Sequence, residues 1–322
     1  MRDYEPLIDR LDLDGLVRLI DGYCENRDWE TLYRLREACR AATRSGKQVW
    51  PASTLAEYRL ALRAPAEWAA KVLTEDVGRF TIGPLSEVIA QAHSWSELEP
   101  LLPDTPLTSF VAHECAIRGN DVDDDLLDVL EMPFNLQEWE PSYALALYRD
   151  NDAVFDSPEV PATTAINAAS ATTIDEPHAL RDATHQLVSG WKESSNGTLR
   201  TAFVNGSIPE ALGALGIASP RIGMVEPAHA LAWLTWAGAS GGAHSRRRGN
   251  AIGRFNAWSL VAALHGSDEW PLEPERVRDA LHSMQWCWWE GDVTPTGWRL
   301  QLAAYDPARE RSWVIYAADS RA

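Results

Sequence analysis

The spacing of apolar residues changes once along this chain, near residue 285. Before that point helical spacing dominates, as in Leu16, Leu19, Ile20 and Tyr23, and a repeat of this kind is typical of amphipathic helices. After it, MQWCWWEG, GWRLQLAAYD and RSWVIYAAD are aromatic and β-branched runs separated by turn residues, a pattern typical of strands. The sequence therefore predicts an α+β protein, mainly α, whose C-terminal part contains a small antiparallel meander of three strands.

The N-terminal half consists of short helical patterns without a fixed repeat period. Helices with short links pack as neighbours, so residues 1–155 are expected to form an irregular, HEAT-like helical array. Helices are also predicted over DDDLLDVLEM and over ATTAINAASATTI. The polar, proline-marked stretch DNDAVFDSPEVP indicates a linker. Two domains are predicted, 1–155 and 156–322, the second holding an arginine-rich helix and the three-stranded sheet.

The charge and cysteine content exclude several classes of protein. A formal net charge of −18 argues against nucleic-acid binding, which needs a basic surface, and against anionic membranes. No apolar run is long enough for a membrane span, and the charged N-terminus does not resemble a signal peptide. The four cysteines form no CxxC pair. We expect a cytoplasmic protein without a metal site or a cofactor.

Positive charge is concentrated in GGAHSRRRGNAIGRF, residues 241–255. A helix is predicted from about Gly242 to Leu264. At 100° per residue, this helix would place Arg247 and Arg254 in one sector with His244, Phe255 and Trp258, and Arg248 at its edge. The sector is otherwise apolar, and a buried charge must be paired. The arginines therefore require negative partners.

Two kinds of partner satisfy this requirement. Internal carboxylates are available at Glu226, Glu290, Asp292 and Asp306. The alternative is a bound small anion, such as a phosphate or carboxylate, because glycines at a helix start allow close approach to free amides and to the positive end of the helix dipole. The predicted anion site comprises six residues: Gly241, Gly242, His244, Arg247, Arg248 and Arg254.

The preceding helix adds candidate chemistry. Glu226, His229, Trp233 and Trp236 are spaced three, four and three residues apart, so they share one helical face. Together with Trp258, the two tryptophans would form the aromatic wall of a pocket, and His229 and His244 would act with Glu226 in acid–base catalysis. The alternative is that the histidines and tryptophans belong to the core.

Two long segments resemble a known family. WAGASGGAHSRRRGNAIGRFNAW and the strand region beginning at QWCWWEGDV are similar to an uncharacterised actinobacterial family that is classed as a domain of unknown function, and the N-terminal segments LAEYRLALRAPAEWAAKVL and FTIGPLSEVIAQAHSWSEL extend this resemblance. The family's helix-start motif is GGAHxRRRG, and members often carry glycine where this chain has Ser245. The resemblance implies one inseparable architecture and no known activity.

Three functions remain open at this point. The first is a non-enzymatic scaffold or regulator, with a protein partner on the helical array and a pocket for a small anionic ligand. The second is an enzyme acting on a phosphorylated or carboxylated small molecule. The third is an acidic immunity or inhibitor-like protein that masks a basic partner, which only the net charge suggests.

Overall fold

The computed structural model describes residues 3–73, 81–123, 126–267, 269–291 and 296–320. These ranges contain fourteen α-helices, two short 3-10 helices and eight β-strands, so the chain is α+β with helix predominating, as predicted. The chain forms two compact units: the first is Met1–Val129 with Ala146–Phe155, and the second is Leu130–Leu145 with Asp156–Ala322. The predicted domain boundary after residue 155 stays a prediction.

The regular elements among the described residues of the first unit are helices and one short hairpin. Its elements are α1 (Glu5–Arg10), α2 (Leu13–Glu25), α3 (Trp29–Arg44), α4 (Trp50–Arg63), α5 (Ala66–Ala69), a 3-10 helix (Ala70–Val72), α6 (Leu85–Ala92), α7 (Trp95–Leu98), a 3-10 helix (Glu99–Leu101), α8 (Pro106–Ile117), β1 (Leu147–Tyr148) and β2 (Ala153–Val154).

Local side chains determine where several of these helices begin. Asp12 caps α2 by accepting a hydrogen bond from Gly15 N at 2.8 Å, and Asp28 caps α3 through Thr31 N at 3.1 Å. Such caps satisfy backbone donors that the first helical turn leaves free. Helix α4 packs against α2, α3 and α6, and α6 packs against α8. The HEAT-like arrangement of these helices stays a prediction.

The helix predicted over DDDLLDVLEM is wrong for the part that the structure describes. Residues 126–132 are irregular, while Asp124 and Asp125 lie outside the described residues. Asp128 explains the irregular path, because its Oδ1 accepts a hydrogen bond from Ser109 Oγ at 3.3 Å and lies 2.9 Å from His113 Nε2. These contacts hold Asp128 against α8.

The second unit contains the sheet and the longer apolar helices. Its elements are β3 (Thr164–Ala165), α9 (His178–Leu187), α10 (Ser189–Glu193), β4 (Thr198–Asn205), α11 (Ile208–Ala214), β5 (Arg221–Val225), α12 (Pro227–Ala239), α13 (Asn250–Leu264), α14 (Pro274–Ser283), β6 (Gln285–Glu290), β7 (Trp298–Asp306) and β8 (Arg311–Asp319).

The sheet is larger than the sequence predicted. The three expected strands are present as the consecutive antiparallel run β6–β7–β8, but they are the middle of a six-stranded sheet of order β3-β5-β6-β7-β8-β4. Strands β4 and β5 were missed, and ATTAINAASATTI contains β3 rather than the predicted helix. The three-stranded sheet is therefore corrected to six strands within the described residues.

Each face of the sheet packs against helices. On one face, Cys287, Ala303, Val314 and Ala202 lie side by side across four strands and form a core with Leu212 of α11. Helix α12 contacts β6 and β7. A sheet buried on both faces explains why β6 is apolar without alternation.

Two further features of the structure concern the reactivity of the cysteines and the length of the apolar helices. Cys24, Cys39, Cys115 and Cys287 are free and buried, and burial raises the pKa of the Cys287 thiol to about 12, which is typical of unreactive structural thiols. None of the described helices is both long and apolar enough to cross a membrane.

Candidate functional site

The arginine-rich segment is a loop, and the helix predicted to begin near Gly242 begins at Asn250. Gly249 precedes the helix with φ +97°, and Gly242 has φ +74°, a backbone region that favours glycine. A helical projection does not apply to residues 241–249, so the sector predicted to group His244, Arg247 and Arg254 does not exist.

Arg254 and Glu140 form an ion pair whose two side chains are fully buried. Arg254 Nε and Nη2 donate to Glu140 Oε2 and Oε1 at 2.8 and 2.6 Å. The remaining N–H groups donate to the carbonyls of Pro133, Phe134 and Asn135 at 2.6–3.2 Å. All five guanidinium donors are thus bonded to the protein, which leaves Arg254 none for a ligand.

Glu140 is the centre of a wider buried network. Its Oε2 also accepts hydrogen bonds from Tyr143 OH at 2.5 Å and from Trp258 Nε1 at 3.2 Å. Burial, reinforced by the charge of Glu140, raises the pKa of Tyr143 well above its usual value. Trp258 stacks on Trp139 with ring centroids 5.1 Å apart. This network fixes the segment Leu130–Leu145 on α13.

None of the expected carboxylates is the partner of Arg254. Glu290 accepts a hydrogen bond from Thr163, Asp306 pairs with Arg309 at 2.7 Å, and Asp292 lies outside the described residues. The requirement for a negative partner was right for Arg254, but its partner is distant in the sequence.

The other predicted anion ligands do not converge on one point. Arg247 Nη2 donates to Asn250 Oδ1 at 2.9 Å, and Arg248 Nη1 donates to the carbonyl of Gln186 at 2.8 Å. Burial lowers the pKa of Arg248, against the opposing charge of Glu193. Within the described contacts, these two guanidinium groups bind different elements.

Gly241 and Gly242 form a tight turn on a buried carboxylate. Asp319 Oδ2, at the end of β8, accepts a hydrogen bond from Ala243 N at 2.6 Å, and a Cβ on Gly242 would overlap the same oxygen. Since a carboxylate occupies this turn, its amides are not open to a bound anion as the sequence suggested.

The two candidate histidines lie at different ends of α12. His229 is in its first turn, with Nε2 2.7 Å from the carbonyl of Glu159, and Glu226 is the exposed residue just before the helix. His244 is exposed in the loop after the helix, where its backbone N donates to Ser195 Oγ at 3.1 Å.

The strand register of the sheet gives an estimate of the distance between the two histidines. Val225, which leads into α12, aligns across three strand pairs with Trp313. Asp319, which binds the backbone next to His244, lies six residues further along β8, or about 20 Å at 3.3 Å per residue. The two histidines are thus too far apart to serve as the predicted acid–base pair, which needs hydrogen-bond reach.

The predicted aromatic wall is part of the core. Trp233 stacks on Trp288 at 4.4 Å and packs edge-on against Trp236 at 5.5 Å. All three residues of the predicted wall, Trp233, Trp236 and Trp258, are buried. Trp258 packs against Trp139 instead, so the three tryptophans do not line one pocket.

The structure contains a cleft that the sequence did not predict. It has a volume of about 370 Å³ and lies between α9 and α13. Small side chains, among them Ala183, Ala262 and Ala263, form part of its walls. Its lining has carboxylates at Asp182 and Glu269, but no arginine, lysine, histidine or cysteine among the described residues. Both carboxylates are largely exposed, so they lie at the rim.

Phe255 and Trp270 supply aromatic surface to this cleft. Their rings pack edge to face, with centroids 5.3 Å apart and planes at 84°, an arrangement that aromatic quadrupoles favour. Trp270 is held in place because its Nε1 donates to the carbonyl of Leu130 at 3.1 Å.

Asn256 is the unusual residue of the lining. It is only 1% exposed, and neither its Nδ2 nor its Oδ1 has a hydrogen-bond partner. A signal was present in the sequence, since Asn256 is a lone amide within the apolar run FNAWSLVAAL. Apolar periodicity alone gives no reason to single out such a residue.

Comparison with curated proteins found no match, and comparison with solved structures found none either. A family model does match, over residues 14–321, and its description is a family of unknown function, DUF6183. The match spans both structural units and agrees with the resemblance seen in the sequence. The chain therefore belongs to the DUF6183 family of unknown function.

Proposed function

We propose that this chain is a non-catalytic binding protein whose small-molecule ligand occupies the cleft between α9 and α13. The cleft carries the proposal, because its volume of about 370 Å³ falls in the range of about 300–1,000 Å³ that is typical of ligand pockets. Of its twelve described lining residues, six are alanine, phenylalanine or tryptophan and six are polar, so the lining combines apolar surface with groups that can orient a ligand.

The composition of the lining supports binding rather than catalysis. The described lining has Ser259 and Ser267 but no histidine, cysteine or lysine, so it contains no histidine or lysine base that could activate either serine. Its carboxylates face solvent, with 64% of the Asp182 side chain and 77% of the Glu269 side chain exposed. The enzyme alternative also loses its expected pair, His229 and His244.

The charge of the cleft favours a neutral or cationic ligand over the predicted anion. Asp182 and Glu269 are negative, and no positive side chain stands among the described lining residues. Arg254 has no donor left. An anion site at residues 241–248 has less support, because the backbone of its turn already binds Asp319.

A fragment screen with matched variants tests this proposal. Neutral, cationic and anionic fragments are screened by thermal shift against the full chain, against Ala183→Trp, which fills the cleft, and against His185→Trp. His185 is exposed on the same helix and does not line the cleft. We expect neutral or cationic ligands that shift the wild type and His185→Trp but not Ala183→Trp.

Two results would overturn the proposal. Ligands that still bind Ala183→Trp would not occupy the cleft. A preference for phosphorylated fragments that disappears in Arg248→Ala would instead favour the anion site.

A further inference from the structure

We propose that this chain has a second ligand site, which binds a monocarboxylate with a short alkyl tail. The site is a narrow cavity, here called the hairpin cavity, between the end of the β7–β8 hairpin and the helices α9 and α13. Among the described lining residues it shares only Ala263 with the cleft. This site therefore does not depend on the proposed function.

The inner walls of the hairpin cavity are apolar. The cavity has a volume of about 50 Å³, which is room for about four groups the size of a water molecule or a methylene. Five of its lining residues are at most 9% exposed: Leu180, Phe203, Met284, Ala304 and Trp313. Such walls favour a short hydrocarbon tail through dispersion contacts, whereas an ordered water needs several polar partners.

The register of the sheet places charged side chains at one end of these walls. Ala304 pairs with Trp313 across β7 and β8, and Asp306 pairs with Arg311 two residues further along. Side chains two residues apart on a strand point to the same face of the sheet, so Asp306 and Arg311 project on the face that carries the apolar walls. Since Arg311 is exposed and Trp313 is buried, the charged row forms the mouth of the cavity.

Two guanidinium groups lie at this mouth. Arg311 Nε donates to Asn205 Oδ1 at 3.2 Å, and its guanidinium carbon is 6.0 Å from the centre of the Phe203 ring. Arg309, in the turn of the hairpin, extends to the end of α13, because a Cβ on Gly266 would lie 3.8 Å from Arg309 Nη2. Both guanidinium groups thus lie beside other residues of the lining.

The charge at the mouth is positive. Asp306 Oδ1 accepts hydrogen bonds from the backbone N of Ala308 and of Arg309 at 2.9 and 3.2 Å, and its Oδ2 accepts from Arg309 Nη1 at 2.7 Å. Within the described contacts, Nε and Nη2 of Arg309 and both Nη atoms of Arg311 stay available for a further acceptor. Two arginines and one aspartate line the cavity, so one positive charge is left over.

A carboxylate with a short tail matches both ends of the cavity. Guanidinium groups bind carboxylates through paired, charge-assisted hydrogen bonds, and the apolar walls accommodate the tail. Glu176 contacts Trp313, but it does not line the cavity, and its carboxylate accepts a hydrogen bond from Thr201 at 3.4 Å. Glu176 therefore does not occupy the mouth in place of a ligand.

The methyl group of Met284 reports binding directly, because Met284 lines the cavity. Met224, which is 60% exposed on β5, is an internal control outside it. The full chain, labelled with carbon-13 in its methionine methyl groups, is titrated with acetate, propionate, butyrate, hexanoate and octanoate at constant ionic strength and followed by NMR. Butyramide is the neutral analogue of butyrate, and Met284→Leu assigns the resonance.

We expect butyrate to shift the Met284 methyl resonance and to leave that of Met224 in place. Affinity should increase about three- to fourfold per methylene from acetate to butyrate and then level off, because the longer tails exceed the volume of the cavity. Butyrate should bind at least about fivefold more tightly than butyramide, since charge-assisted hydrogen bonds are stronger than neutral ones.

Arginine variants isolate the mouth. Arg309→Gln and Arg311→Gln should each weaken butyrate binding at least about fivefold. Arg278→Gln is the matched control, because Arg278 is exposed on α14 and does not line the cavity, so its loss should change the affinity less than about twofold. Ala183→Trp, which fills the cleft, should bind butyrate like the wild type.

Several results would each overturn this assignment. If no carboxylate shifts the Met284 resonance, the hairpin cavity is not a binding site. If butyramide binds as tightly as butyrate, or if both Arg309→Gln and Arg311→Gln keep the wild-type affinity, the arginines do not recognise the ligand. If affinity continues to rise through octanoate, the cavity does not enclose the tail. The fragment screen tests ligands of the cleft separately, so each proposal can fail without the other.

Discussion

Arg254 and Glu140 are 114 residues apart in the sequence and form a bidentate ion pair with both side chains fully buried. The pair joins α13 to a segment that precedes the rest of the second unit. Three backbone carbonyls complete the coordination of Arg254, so the pair organises the backbone of residues 133–135 as well.

Removing one partner of this pair should strongly destabilise the second unit. Arg254→Met leaves Glu140 charged and buried, and Glu140→Gln does the same to Arg254. Each change should lower the free energy of unfolding by about 3–5 kcal/mol. Urea denaturation followed by tryptophan fluorescence measures this loss.

Arg34→Met is the control, because Arg34 and Glu30 form an exposed pair on α3, which is expected to contribute less than about 1 kcal/mol. Equal losses in the buried and exposed pairs would contradict a special role for Arg254.

The two buried asparagines of α13 should respond to leucine with opposite signs. Asn256→Leu removes two unpartnered polar atoms and should raise the free energy of unfolding by about 1–3 kcal/mol. Asn250→Leu removes two hydrogen bonds and leaves Ala144 O unsatisfied, so it should lower that free energy by a similar amount. Chemical denaturation of both variants checks the signs, and a destabilised Asn256→Leu would show that its amide is already bonded within the protein.

Gly242 should not tolerate a side chain. Its φ is +74°, and a Cβ would overlap Asp319, so Gly242→Ala should cost about 1–3 kcal/mol of unfolding free energy. Gly22 in α2 is the matched control, because a Cβ there meets nothing within 4 Å. Gly22→Ala should raise the free energy of unfolding by about 0.5–1 kcal/mol. Thermal melts of both variants test this contrast. A Tm for Gly242→Ala as high as that of the wild type would show that the turn accommodates a side chain.

Replacing Glu176 and replacing Glu210 by glutamine should change Tm at pH 7 in opposite directions, because the pKa values of the two carboxyl groups are shifted in opposite directions. Burial raises the pKa of Glu176 above 4.5, although contacts with Trp313 and Thr201 oppose the effect. Stability from this group is therefore present below pH 4.5 and is lost as the pH rises through the higher folded pKa. Glu176→Gln should raise Tm at pH 7 relative to the wild type, with a smaller difference at pH 4.

Glu210 provides the reverse case. Hydrogen bonds from the side chain and backbone of Ser207 lower its pKa below 4.5. Its contribution is present above pH 4.5 and is lost as the pH falls through the lower folded pKa, so Glu210→Gln should lower Tm at pH 7. If the two variants shift Tm in the same direction, the assignment of these pKa directions is wrong.

Apolar spacing and turn residues predicted those helices and strands whose positions depend on neighbouring residues in the sequence. Helix α12 and strands β6–β8 were found because their apolar spacing and flanking turns are specific. Strands β4 and β5 were missed, since β4 is partly polar and β5, RIGMV, adjoins a glycine-rich stretch. Their pairing with β8 and β6 brings together residues that are distant in the sequence, so local patterns do not reveal it.

The candidate site was less predictable, for a related reason. The helix projection continued through Gly249, where a positive φ ends helical geometry, and this one error grouped His244 with Arg254. No pattern around Arg254 could identify Glu140 as its partner. The cleft depends on how α9 packs against α13, and no local pattern in the sequence specifies that packing.

The segment Leu130–Leu145 also has a consequence for the order of events during synthesis. The first unit has all its residues once Phe155 has been made, whereas Glu140 must wait for Arg254, 114 residues later. At roughly 5–20 residues per second, that is a delay of about 6–23 s. During this time the segment Leu130–Leu145 lacks the arginine that pairs with Glu140, so the second unit can form this buried ion pair only after Arg254 has been made.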